Sequence, residues 1–146
     1  DLKSGGGGGS QVGTAFLLTN DTDPDPANWF FESFSFEDGT KDRQPRTEFA
    51  SLIGDFGVIG NSFSLALRGG VQYQMLSGFT SINEVRTLPS TGWQSHALFP
   101  LLNAGADFVA FKLPNNKYAV IEILDMDQMA GRFRFKYKFS ASGPSL

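Results

Sequence analysis

Phe108-Val109-Ala110-Phe111-Lys112-Leu113, Lys117-Tyr118-Ala119-Val120-Ile121-Glu122-Ile123-Leu124 and Arg132-Phe133-Arg134-Phe135-Lys136-Tyr137-Lys138-Phe139 decide the fold class of this chain. The third run alternates without a fault. Phe133, Phe135, Tyr137 and Phe139 fall on one side, Arg132, Arg134, Lys136 and Lys138 on the other. A period of two over eight residues marks a strand with two unlike faces. Pro114-Asn115-Asn116 joins the first two runs, because proline presets φ and asparagine tolerates the left-handed region. Asp125–Gly131 joins the second to the third. The expectation is a three-stranded antiparallel meander closing an all-β, sandwich-like domain.

Working outward, 146 residues suffice for one domain with a real core. The 15 phenylalanines and 17 glycines favour aromatic strands separated by turns. A net charge of −3 argues against nucleic acid as a partner, since such proteins carry a basic surface excess. With no cysteine, disulfides, thiolate metal sites and thiol nucleophiles are excluded within the sequence. No apolar run approaches the roughly 20 residues of a membrane-spanning helix.

Upstream, Asp1–Ser10 is a Gly-rich tether, leaving 11–146 as the domain. The tether reads as an expression linker, a disordered terminus, or the spacer after a lipid-modified cysteine just before Asp1. The last is preferred, because Asp-Leu-Lys-Ser does not resemble a tag. Val12–Thr19 is a first strand. Asp21, Asp23 and Asp25 occupy positions one, three and five of a calcium-type loop, with Glu32 at position twelve. Pro26 stands where such a loop needs glycine, so a solvated Pro/Asp loop is the preferred reading and a weak Ca²⁺ site the alternative. Trp29–Phe36 is strand-like and Asp38-Gly39 turns it. Lys41–Glu48 reads as a polar loop, Phe49–Ile53 as a short strand or helical turn, and Gly54, Gly57 and Gly60 as breaks. Ser62–Arg68 is a strand pointing Phe63, Leu65 and Leu67 inward, turned at Gly69-Gly70 into a partner strand, Val71–Leu76. Ser77–Pro89 is an irregular arm or short helix.

Nothing in the sequence spells a catalytic set. G-x-S-x-G, P-loop and H-E-x-x-H patterns are absent, and His96 is the single imidazole. The expectation is a non-enzymatic protein. The basic stripe of the last strand reads as a solvent face that discourages edge-to-edge association, with Glu122 across the ladder as a pairing partner. His96, Met75, Met126 and Met129 are the side chains able to ligate a haem iron. Tyr73, Trp93 and Phe99 lie near His96 or Met75 in sequence and are candidates to wall an apolar pocket.

Lys117-Tyr118-Ala119-Val120-Ile121-Glu122-Ile123, followed by Gly131-Arg132-Phe133-Arg134-Phe135-Lys136-Tyr137, resembles the closing segment of the HmuY-like haem-binding lipoproteins of Bacteroidota. Trp29–Phe36 with Asp38-Gly39, Phe63-Ser64-Leu65-Ala66-Leu67-Arg68, and Ser77–Ile82 through Gly92-Trp93 are similar to earlier segments of that family. The resemblance covers about residues 29–139. It implies an outer-membrane or cell-surface lipoprotein, lipid-anchored, that pinches haem between two axial ligands drawn from His and Met. Met75 and His96 would be that pair here. The family's Trp-Asp is replaced by Phe63-Ser64, and the Gly of its Gly-Lys-Tyr by Asn116. The alternative expectation is an accessory lipoprotein subunit of an outer-membrane transporter or other membrane complex, with no small ligand.

Overall fold

A computed structural model describes residues 11–95, 98–102 and 104–146. The Asp1–Ser10 tether and His96 lie outside the described residues. The chain is all-β, a single antiparallel sheet of nine strands wrapped into a nearly closed, barrel-like sandwich. The strands are β1 (Gly13–Asn20), β2 (Phe30–Ser35), β3 (Thr40–Pro45), β4 (Phe56–Ile59), β5 (Ser64–Leu67), β6 (Gln72–Leu76), β7 (Phe108–Leu113), β8 (Lys117–Asp127) and β9 (Arg132–Ser140). Their order is β5-β4-β2-β1-β9-β8-β7-β6, with β3 on the other side of β2.

The closing meander is β7–β8–β9, as its alternation requires. β8 runs three residues past Leu124, through a bulge between Ile123 and Asp125, so the second turn is shorter than the sequence suggests. β1 is the corner of the wrap. Gly13–Leu18 pair with β9, whereas Thr19 and Asn20 pair with β2. At that corner the Leu18 amide donates to Glu32 Oε1 at 2.7 Å. Glu32 is buried there, held also by Arg43 and Lys41.

Several local expectations change. The polar run Lys41–Glu48 contains β3, which pairs along the whole of β2 after the Asp38-Gly39 turn. The glycine-spaced stretch contains β4, and Phe49–Ile53 is neither strand nor helix. β5 and β6 do not pair with each other. They are the two ends of the strand order, and Gly69-Gly70 carries the chain from one to the other. The later connection meets both: Gln94 bridges to Tyr73 on β6, and Pro100 to Ser64 on β5.

The main core lies inside the wrap. It is dominated by Phe34, Phe36, Phe56, Phe63, Phe111, Phe133 and Phe135, with Leu17, Val58, Leu65, Val109 and Ile121. Rings meet edge-on or stacked at about 5 Å, as between Phe56 and Phe111 at 4.9 Å, the geometry in which aromatic quadrupoles attract. Both outer faces are covered as well. The arm Ser77–Pro89, with its 3₁₀ turn Ile82–Glu84, lays Ile82, Val85 and Leu88 on Phe108, Ala110, Tyr118 and Val120, and Leu146 completes that layer. Leu52 caps Phe31, Ile59 and Ala66 on the opposite side. The basic stripe of β9 is therefore not one solvent face. Arg134 is exposed, but Lys138 is 4% exposed beneath the arm, donating to the Val85 carbonyl at 2.9 Å.

Candidate functional site

Alternation along β6 puts Tyr73 and Met75 on the same side, toward the main core, where Phe99 joins them. Tyr73 is buried, packs on Phe99 with the rings tilted and their centroids 5.4 Å apart, and donates its hydroxyl to Gln94 Oε1 at 3.0 Å. Burial raises the Tyr73 phenol above its ordinary pKa. Trp93 precedes Gln94 by one residue and falls on the other side of the sheet. It packs on Tyr118 in the outer layer and donates to the Pro89 carbonyl. So Tyr73, Met75 and Phe99 come together, Trp93 does not join them, and His96 lies outside the described residues. Met75, the described member of the implied axial pair, is engaged with the core and lines none of the cavities described below. Met126 and Met129 also differ from a shared turn: Met126 is on β8 against the main core, and Met129 is fully exposed.

The acidic loop has its own local role. Asn20 Oδ1 accepts the Thr22 and Asp23 amides, Asp23 Oδ1 the Asp25 amide, and Asp25 Oδ1 the Ala27 amide. These side-chain-to-backbone bonds cap the 3₁₀ turn Pro26–Asn28. Glu32 is turned into the β1 corner, away from any role as a twelfth loop ligand.

The open volume is at the end of the wrap where β2, β5, β7 and β9 finish and β3, β4 and β8 begin. A polar cup of about 250 Å³ is lined there by Ser35, Glu37, Asp38, Asp55, Asn115 and Lys117, with Leu113, Pro114 and Phe139. Asp55 is the fixed point of this cup. Its carboxylate accepts the Phe36 amide at 2.9 Å and Arg68 Nη2 at 2.9 Å, and its carbonyl accepts the Arg68 amide at 3.0 Å. Across the cup, Lys117 Nζ pairs with Glu37. Arg68 is half-exposed and forms the partition to a second cavity of about 220 Å³. That groove is apolar: Phe49, Ala50, Ala66, Leu67, Val71 and Leu98 line it, and Gly69 and Gly70 leave its floor bare. A third cavity, about 30 Å³ beside Gly131, is too small for more than water.

The sequence signal for this cleft is weak by nature. Its polar residues come from strand ends and turns that are far apart in the sequence, and only the fold collects them. No protein family, curated protein or solved structure matches the chain.

Proposed function

We propose that this chain is a non-enzymatic binding protein, and that it holds a small amphiphilic ligand in the joined cleft at the hairpin end of its barrel. The observation that carries this reading is Arg68, a wall common to a polar cup and an apolar groove. Each cavity alone falls below the roughly 300–1,000 Å³ of ordinary ligand sites, and a ligand that reaches past Arg68 into both would occupy a volume within that range. A holding rather than a reacting site is supported by the commitments of its charges. Of its three carboxylates two are committed, Asp55 to Arg68 and a backbone amide and Glu37 to Lys117, and the third, Asp38, is exposed at the mouth. The resemblance to haem-binding surface lipoproteins supplies the proposed setting, lipid-anchored at an outer membrane or cell surface.

The test is an amide-detected NMR titration with octanol, and separately with haem. The cleft reading expects octanol to shift Gly69, Gly70, Asn115 and Asp38. Haem shifts centred on Met75 and Tyr73, with no octanol response in the cleft, would replace this reading with the family's own. A second reading, the accessory subunit of a membrane complex, is favoured by exposed Phe49 and Leu98 on the groove and by exposed Ile53 four residues after Phe49. Co-purification with a larger membrane partner at fixed stoichiometry, lost in Phe49→Ser/Ile53→Ser, would support it.

A further inference from the structure

Charge balance in the cup selects the head of the ligand. Arg68 is matched by Asp55, with N–O separation 2.9 Å, and Lys117 by Glu37. Among the described residues of the lining, Asp38 is the carboxylate left without an ion-pair partner. It sits in the turn between β2 and β3, exposed at the mouth. The two cations therefore offer no net positive field to an anionic head, and the cup as a whole carries one excess negative charge. Ser35 and Asn115 on the lining can accept from an ammonium as well as donate to other heads, so the choice of head rests on charge.

The groove across Arg68 sets the other end. Its sides are Phe49, Leu67, Val71 and Leu98, and Leu98 is 51% exposed, an apolar surface that an alkyl or aromatic body would cover. Gly69 is on the lining of the groove and contributes backbone alone, with open space where a Cβ would stand.

Resting on the cleft reading above, we infer that the ligand is an amine-headed amphiphile, with its ammonium at Asp38 in the cup and its apolar body along the groove past Arg68. A zwitterion with its cation placed the same way belongs to this class; a simple fatty carboxylate does not.

Octylammonium, octanol and octanoate share a tail and differ in head charge, so isothermal titration with the three, at pH 7 and low salt, separates the two claims. The expected order is octylammonium, then octanol, then octanoate. Asp38→Asn should weaken octylammonium about 3–10-fold, the range of an exposed ion pair, and leave octanol unchanged. Gly69→Leu should weaken all three at least tenfold with an unchanged thermal midpoint. Octanoate binding as tightly as octylammonium, or Asp38→Asn leaving the octylammonium affinity unchanged, overturns the assignment of the head while the cleft survives. Binding of all three that Gly69→Leu does not touch, or no binding by any of them, overturns the cleft itself.

Discussion

At Gly131 the chain has φ +63°, and a Cβ there would fall inside the van der Waals envelope of the Thr19 carbonyl oxygen. The approach is close because the Thr19 amide donates to the Gly131 carbonyl at 2.8 Å, tying the β8–β9 turn to the corner strand β1. Backbone cannot yield as a flexible side chain can. Gly131→Ala therefore combines left-handed strain with a main-chain clash, and should destabilise by about 3 kcal/mol or more, read from urea midpoints. A loss under about 1 kcal/mol would mean that the turn relaxes freely. Glu32 is the polar counterpart on the same corner. Its carboxylate serves the Leu18 amide, Arg43 Nε and Nη2 at 3.2 and 3.1 Å, and Lys41 at 3.4 Å. Glu32→Ala strands a buried amide and unpairs two half-solvated cations. The expected loss is about 2–3 kcal/mol, set by the charged hydrogen bond to the amide more than by the cations, whose exposure screens them. Measured in high salt, the loss should shrink only slightly.

The elements that local pattern revealed are those whose two faces meet different surroundings. β9 is legible because Phe133 and Phe135 enter the core while Arg134 stays outside. β3 was hidden because Thr-Lys-Asp-Arg-Gln-Pro is an edge strand, and charge with a proline is how an edge avoids further pairing. β4 was hidden by its glycines. Gly57 is there for close approach, since a Cβ would come within 2.9 Å of the Glu32 carbonyl, yet in sequence it reads as a break. The error at Gly69-Gly70 has another source: a turn signal does not say whether the next strand returns or crosses to the far end of a sheet. Lys138 failed for the same non-local reason, as nothing on β9 announces the arm above it. Burial, with Arg86 adding repulsion, lowers the Lys138 pKa from 10.5. Between its folded value and 10.5 the unfolded chain binds more protons, so stability rises with pH across that window. Tyr73 acts oppositely: its phenol is raised from 10.0, so above pH 10 the unfolded chain loses its proton first and stability falls. Urea midpoints at pH 8–11 should show a rise followed by a fall in the wild type, and only the fall in Lys138→Met. A rise that persists in Lys138→Met would assign it to another group. Glu84 anchors the arm from its acidic side. The Thr80 amide lowers its pKa from 4.5, against a smaller opposing effect of burial, so its contribution is complete above 4.5 and lost as pH falls through the folded value.

On the scale of the molecule, the sheet is a wall with a core on each side, and the candidate cleft is what remains open at one end. That is why the fold class was readable while the site was not. Strand faces repeat every two residues, but the cup draws Ser35, Asp55, Arg68 and Lys117 from strand ends and connections up to 82 positions apart in the numbering. The layered build also predicts how the molecule comes apart. Phe108, Ala110, Tyr118 and Val120 support the outer layer, yet they sit on β7 and β8, whose other face is held by Val109, Phe111, Ala119 and Ile121 in the main core. The sheet's own pairing does not need the arm. The arm, in contrast, depends on the chain end: Leu146 is fully buried in its layer, the Leu146 amide donates to the Arg86 carbonyl, and the Leu88 amide donates to the Pro144 carbonyl. Leu146→Ala removes three buried heavy atoms from a thin layer and should cost about 2–4 kcal/mol there. The loss should appear as local opening, because the outer layer can detach while the inner core stays closed. Hydrogen exchange is the direct readout. In Leu146→Ala the Val85, Leu88 and Leu146 amides should lose protection by two to three orders of magnitude, and Trp93, packed in the same layer, should change its emission below the global transition. Amides on β4 and on the β7–β8 ladder, such as Val58 and Phe111, should keep theirs. Equal loss of protection at Val85 and Phe111 would instead make the two layers a single cooperative unit, with the arm as much a part of the barrel as the strands it covers.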